Sequence, residues 1–200
     1  MAPDHIRAAA YARPVLREIG HFLRHAPATL RLKARLPQAE LYATLMARSD
    51  AAGMRDRRAA LAAGLRGEVL ELGAGTGAMF GYYEPGAALT AVEPDPAFAA
   101  KARDAAAGAP VPVDVVEATG EALPFDAGRF DAGVVALVLC SVPEPAHVLG
   151  ELHRVLRPGA TLRLIEHVRS ERRVAGTLMR AVNGAWLRLN GQGCNLDRDP

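Results

Sequence analysis

The chain has 200 residues, half of them hydrophobic, with a formal charge of +2. That is enough for one substantial core, and a balance so close to neutral gives no reason to expect a nucleic-acid partner. Its only cysteines, Cys140 and Cys194, exclude a disulfide framework and lack metal-site spacing, so no metal is expected.

A reducing, cytoplasmic setting follows from that cysteine usage. No run is long and charge-free enough to span a membrane, and Arg7, Arg13 and Arg17 interrupt any signal-peptide core. Residues 1–37 carry seven Arg and Lys against Asp4 and Glu18. After Pro14, residues Leu16, Ile19 and Leu23 share one helical face, and Arg17, His21 and Arg24 another. This pattern suits a surface helix that covers a site. The competing reading is an interfacial helix that touches a membrane peripherally. Further helices are expected over about 37–48, with Leu41, Leu45 and Met46 as the apolar stripe, and over about 56–63. Residues 1–55 thus read as a helical cap and 56–200 as the main domain.

The main domain opens on Glu68-Val-Leu-Glu-Leu-Gly-Ala-Gly-Thr-Gly77. A short apolar run reads as a buried strand, and the alternate glycines as a turn into a helix over about 77–82. Glycines let backbone N–H groups approach a ligand, and a helix N-terminus there would add a positive dipole end. A second strand over 88–93 ends at Glu93, twenty positions after Gly73. The Pro94-Asp-Pro96 turn starts a helix over 96–107. Strands over 112–117, 131–139 and 161–166 follow, with a helix over 145–156 and a turn at Arg157-Pro-Gly-Ala160 between the last two. A final amphipathic helix covers about 171–189. Strands alternating with helices predict a parallel, Rossmann-like α/β sheet with its ligand over the carboxyl ends of strands one and two.

The glycine loop alone also satisfies a dinucleotide pattern through Gly73, Gly75 and Ala78. Three features argue against a nicotinamide cofactor. Glu71 puts a carboxylate in the strand end, which suits a ligand carrying an ammonium. A long segment precedes the loop, and too little chain follows for a second nucleotide-binding half.

From about residue 68 to 168 the chain resembles the class I S-adenosylmethionine-dependent methyltransferases, methyltransferase type 11 in particular. The blocks that carry the resemblance are Glu71-Leu-Gly-Ala-Gly-Thr-Gly77, Glu93, Glu121-Ala-Leu-Pro-Phe125, Arg129-Phe-Asp131 and Arg154-Val-Leu-Arg-Pro-Gly159, in that order and spacing. The resemblance implies S-adenosylmethionine as cofactor, a sheet order of 3-2-1-4-5, and a set of contacts. Gly73, Ala74, Gly75 and Gly77 would cradle the cofactor. Glu71 would face its amino group, and Glu93 with Pro94 its ribose. Thr119, Gly120 and Glu121 would lie by the adenine, where Thr119 replaces a common Asp, so a backbone contact from Gly120 is the firmer one. Leu137 would line the mouth of the site.

The acceptor side is less determined. Cys140 reads as a small lining residue, since methyl transfer needs no covalent enzyme intermediate. Glu166-His167 ends the fifth strand. His167 is either a general base for the acceptor or a structural cap. Tyr42 and Trp186 would roof the pocket.

Val115-Val-Glu-Ala-Thr-Gly-Glu121, Leu137-Val-Leu-Cys-Ser-Val142, Glu166-His-Val168, Gly193-Cys-Asn-Leu196 and Tyr82-Tyr-Glu-Pro-Gly86 resemble a narrower branch, the methyltransferase-like thiol S-methyltransferases and their bacterial relatives. That likeness implies a small alkyl thiol as acceptor, with a free pKa near ~8.5. An N- or C-methyltransferase of a phospholipid headgroup or quinone is the alternative, and a non-catalytic binding protein the next. The family's last helix and closing β-hairpin would follow Asn195-Leu-Asp-Arg-Asp-Pro200, which reads as that helix's start. Without the hairpin the fifth strand is expected to be an edge, guarded only weakly by Arg163, with reduced stability and self-association through it.

Overall fold

The computed structural model describes residues 35–171, 173–190 and 194–198. The basic helix expected over 14–24 lies outside the described residues, as do Asp199 and Pro200.

Helix α1 (Gln38–Ser49) runs through a π-turn (Asp50–Met54) into α2 (Arg55–Ala62). The kink falls at Gly53, whose φ of +106° breaks the helical path. The sheet follows as β1 (Gly67–Leu72), β2 (Ala87–Val92), β3 (Val113–Val116), β4 (Phe130–Ala136) and β5 (Leu156–Ile165). Its order is β3-β2-β1-β4-β5, with every pairing parallel. Helices α3 (Pro96–Ala106), α4 (Pro145–Val155) and α5 (Arg173–Asn190) complete the fold.

The central strands β1, β2 and β4 of the parallel sheet are buried on both faces and mostly apolar for that reason. Val69, Ala91 and Val134 face one core with Phe80, Tyr83 and Ala99. Leu70, Leu72 and Val135 face the other with Val148, Leu152 and Val155 of α4. Asp95 caps α3, its carboxylate accepting the N–H groups of Ala97 at 2.8 Å and Phe98 at 3.2 Å. Pro96 follows at the first turn, where its missing N–H costs nothing.

The structure departs from the sequence expectation in three places. No α-helix starts behind the glycine loop. The chain makes turns and then a single 3-10 turn, Phe80–Tyr82. Gly77 at φ +80° and Gly81 disfavour helix, and Phe80 and Tyr83 are buried instead, at 1% and 2% exposure. Burying side chains of that size stabilises by about 1.5–3 kcal/mol each, which outweighs one short helix. The expected helix-dipole end is therefore not supplied at the loop.

The turn at Arg157-Pro-Gly-Ala160 lies within β5 as a bulge. Leu156 pairs with Phe130, and the regular register resumes with Thr161 opposite Ala132. Arg163 is not an edge guard. Its guanidinium caps the end of α2 and donates to the carbonyls of Ala63 at 2.6 Å and Leu61 at 3.1 Å.

The helix start expected at Pro200 lies outside the described residues, and residues 195–198 precede it. They form a turn that folds back on the sheet's carboxyl end. Asn195 N–H donates to Cys140 C=O at 2.9 Å, and Arg169 N–H to Arg198 C=O at 2.7 Å. The Asn183 side chain on α5 secures the turn, donating to Asn195 Oδ1 at 2.8 Å and accepting Leu196 N–H at 2.9 Å. Among the described residues β5 remains a sheet edge, opposite β3.

Candidate active site

The carboxyl ends of β1, β2 and β4 converge, and the glycine loop crosses above them. Gly73 and Ala74 both donate their N–H groups to Val92 C=O, at 2.8 and 3.0 Å, which ties the loop to β2. Glu93, just past β2, accepts Gly75 N–H at 2.9 Å on one carboxylate oxygen and Asp95 N–H at 3.0 Å on the other. Burial raises its pKa, and those two backbone donors oppose the rise. Its carboxylate oxygens retain acceptor capacity beside the loop.

Glu71 is 1% exposed. Tyr83 Oη donates to it at 2.7 Å. Burial pushes the Glu71 carboxyl up to about 7, while the Tyr83 hydroxyl and the Arg58 charge pull it down. Arg58 is itself buried against Asp50, with Nε donating to Oδ1 at 2.8 Å, and Tyr82 Oη donates to the same carboxylate at 3.1 Å. This Glu71–Tyr83 and Arg58–Asp50 scaffold under the loop was not apparent in the sequence. The Tyr82-Tyr83 pair was its only trace.

Tyr42 on α1 covers the loop. A Cβ added at Gly75 would stand 3.1 Å from Tyr42 Cε1. The ring packs on Phe98 at 5.3 Å between centroids. Burial raises the Tyr42 pKa, and Glu93, Cys140 and Cys194 all lie within its electrostatic reach.

On the adenine side expected of the loop 117–125, Thr119 is exposed and Gly120 buried. A Cβ at Gly120 would come within 3.2 Å of Val148 Cγ1 and 3.3 Å of Leu72 Cδ2. Two α4 side chains clamp the following residues. Glu151 accepts Leu123 N–H at 3.0 Å, and Arg154 donates to Phe125 C=O at 2.7 Å and Leu123 C=O at 2.9 Å. Arg154 also holds Glu151 at 2.7 Å. Two blocks far apart in the sequence are thus one structural unit.

Leu137 follows β4 at φ +64°, the one non-glycine residue with positive φ among the described residues. That conformation is unfavourable for a side chain with a Cβ and persists only where its surroundings enforce it. Here it turns three successive N–H groups inward. Val138, Leu139 and Cys140 donate to the Glu166 carboxylate at 2.8, 2.9 and 3.2 Å. Glu166, expected to line the substrate pocket, therefore has its carboxylate committed to a backbone nest.

Beyond the nest lie the thiols. Cys140 is buried and Cys194 partly so. Cys194 Sγ stands 3.4 Å from His167 Nδ1, and the sulfurs and a ring nitrogen of Cys140, His167 and Cys194 all lie within 4.8 Å of one another. The hydrogen bond between the thiols raises the Cys140 pKa and lowers that of Cys194, so Cys194 is the one to ionise first. The two cysteines are distant in sequence, and the tail's return brings them together. Trp186 on α5 reaches the same end of the sheet, where it helps to lower the Cys194 pKa.

These residues fit S-adenosylmethionine. Gly73 and Gly75 hold left-handed φ values of +68° and +58°. A Cβ at Gly73 would collide with Val138, and one at Gly75 would crowd Tyr42. Both keep backbone open beside the Glu93 carboxylate, where ribose hydroxyls would be accepted.

Residues 70–164 match the family model described as a methyltransferase domain. The chain carries a methyltransferase domain. Such a domain implies S-adenosylmethionine as its cofactor. The chain is 39% identical over 136 residues to thiol S-methyltransferase TMT1B of Rattus norvegicus, a match covering 66% of this chain and 55% of that protein. It is 37% identical over 101 residues to demethylmenaquinone methyltransferase of Thermus thermophilus, covering 49% of this chain and 46% of that one. The chain spans about half the length of the curated relatives it matches. A solved structure of a candidate methyltransferase from Bacillus halodurans superposes with a TM-score of 0.62 at 21% identity, covering 72% of this chain and 62% of its own. That likeness concerns the methyltransferase fold. Among the described residues, no helix is long and apolar enough to cross a membrane.

Proposed function

We propose that the protein is an S-adenosylmethionine-dependent methyltransferase whose acceptor is a small alkyl thiol. The observation that carries the acceptor assignment is the 39% identity to a protein named as a thiol S-methyltransferase. When bound, S-adenosylmethionine supplies an electrophilic methyl carbon on a sulfonium.

The chain's residues divide the remaining work. Glu93 accepts the ribose hydroxyls, and the Gly73–Gly77 backbone leaves room for the amino-acid end above Glu71. Gly120 offers backbone to the adenine. Tyr42 closes the loop from above and excludes water. The Glu166 nest fixes the loop 137–140 that lines the acceptor side. His167, exposed at the rim, is placed to take the acceptor proton at a ring nitrogen.

A specific observation favours a second reading. The similarity to a demethylmenaquinone methyltransferase supports a quinone-type or other lipid-like acceptor. Val174, Leu178 and Val182 form an exposed apolar stripe on α5. This supports peripheral membrane contact, with the basic N-terminal segment as its partner, or self-association near the β5 edge. In either reading the two thiols suit a reducing, cytoplasmic setting.

An acceptor panel with methyl-labelled donor tests the assignment. Small alkyl thiols should acquire label, with a rate that rises with pH through the bound thiol's pKa. Label confined to quinol or phospholipid vesicles supports the second reading. Absence of cofactor binding points to a non-catalytic binding protein.

A further inference from the structure

We propose that Cys140, Cys194 and His167 form a three-ligand site for a zinc-class divalent cation, with the fourth position open to an acceptor thiolate. The cation site stands on geometry alone, whereas the occupant of its fourth position rests on the thiol reading above.

The donor set is two sulfurs and one imidazole, all within 4.8 Å of one another. Tetrahedral zinc with Zn–S of about 2.3 Å and Zn–N of about 2.0–2.1 Å requires donor separations of about 3.5–3.8 Å. The measured separation of Cys194 Sγ and His167 Nδ1 is 3.4 Å. The third donor, Cys140 Sγ, lies within 4.8 Å of both. Soft thiolates with imidazole select zinc-like cations and disfavour magnesium or calcium, which require oxygen donors. Glu166, a carboxylate within electrostatic reach of both thiols, is committed to three backbone N–H groups and does not compete.

The donors are also held in place by contacts independent of any ion. Cys140 is fixed by its N–H to Glu166 and by its C=O, which accepts Asn195 N–H at 2.9 Å. That second bond anchors the tail carrying Cys194, and Arg198 adds another by donating to Val142 C=O at 2.6 Å. A site preorganised to this degree loses little entropy on binding.

Three protein donors and an exposed side at His167 are the pattern of a reactive rather than a closed structural site. With a cation bound, His167 is a ligand and not the proton acceptor, so an acceptor thiol entering there would give its S–H proton to solvent buffer and bind through the sulfur lone pair. It would then be held as a thiolate near neutral pH.

The test uses the purified full chain, freed of metal by chelator under reducing conditions and titrated with Co²⁺ as a spectroscopic stand-in for zinc. A thiolate-to-cobalt charge-transfer band saturating at one equivalent is the expected result, displaced by added zinc. C140S and C194S should each weaken binding by about a hundredfold or more. H167A, at an exposed position and so least disturbing to the fold, should weaken it by about tenfold or more. Circular dichroism establishes that each variant is folded. No band, or a band equally strong in folded C194S and H167A, overturns the cation site, as does loss of both thiols to a Cys140–Cys194 disulfide under those reducing conditions.

Adding 2-mercaptoethanol to the cobalt-loaded protein should then shift the band. A saturated site whose spectrum ignores the thiol overturns the fourth-position assignment. Loss of thiol methylation from an otherwise cobalt-competent protein sinks the thiol reading and leaves the cation site intact. Full thiol methylation by metal-free protein upholds the thiol reading and overturns the fourth-position assignment.

Discussion

The Glu166 carboxylate accepts the N–H of Val138 at 2.8 Å, and with it those of Leu139 and Cys140. One side chain at the end of β5 thereby sets the path of the loop after β4. It also stabilises the left-handed Leu137 that the loop requires.

Glu166→Gln should therefore destabilise the protein by about 1–3 kcal/mol, because the amide offers one acceptor and turns a donor toward backbone donors. Thermal unfolding checks the stability. Acceptor turnover should fall more than cofactor affinity, since the nest shapes the acceptor side. An unchanged melting temperature would show that the nest does not set the loop.

Glu71 gives the fold a pH dependence. Its folded pKa lies near 7 against an ordinary value of 4.5. The folded state thus binds the proton more tightly than the unfolded state. The stabilisation is complete below about pH 4.5 and is lost as pH rises through about 7, up to roughly 3 kcal/mol in all. Glu71→Gln keeps an acceptor for Tyr83 and should flatten this slope. Denaturant midpoints between pH 5 and 8 for the two proteins measure it, and parallel profiles would rule the assignment out.

Gly75→Ala should cost about 1–2 kcal/mol, the price of a left-handed backbone with a Cβ. The added methyl also presses on Tyr42 at 3.1 Å. Cofactor affinity should fall with the cover displaced. Unfolding curves together with calorimetry separate the two effects, and wild-type affinity in the variant would mean that Tyr42 does not cap the cofactor.

Arg154→Lys should loosen the loop 119–125 although the side chain is partly exposed. A lysine cannot reach Leu123, Phe125 and Glu151 at once as the guanidinium does. Hydrogen exchange of residues 119–125 should rise locally. Exchange identical to the parent protein's would show the clamp to be ornamental.

The strands were legible in the sequence because buried parallel strands are continuous apolar runs, and those of β1, β2 and β4 are bounded by glycine, proline or charge, whereas the sheet order came from the family resemblance. The Asp95 cap and Pro96 marked α3 with no tertiary information. The segment after Gly77 was not legible in this way. Its conformation is decided by Phe80 and Tyr83 entering the core and by a hydrogen bond to Glu71, which local propensity does not encode. The fate of Glu166 was hidden for the same reason. A carboxylate at a strand end reads as a ligand-facing group until the loop that consumes it is seen. The Cys140–His167–Cys194 triangle depends on the return of residues 194–198, a purely tertiary event.

The most direct test of the central claim, that the Gly73–Gly77 loop and Glu93 form the S-adenosylmethionine site, is calorimetric titration of S-adenosylhomocysteine into the parent chain and into Glu93→Ala. The parent should bind one equivalent. Loss of a charge-assisted contact to the ribose should weaken the variant by roughly tenfold or more, with its fold intact. Equal affinities would contradict the assignment of Glu93, and no binding by the parent would contradict the account as a whole.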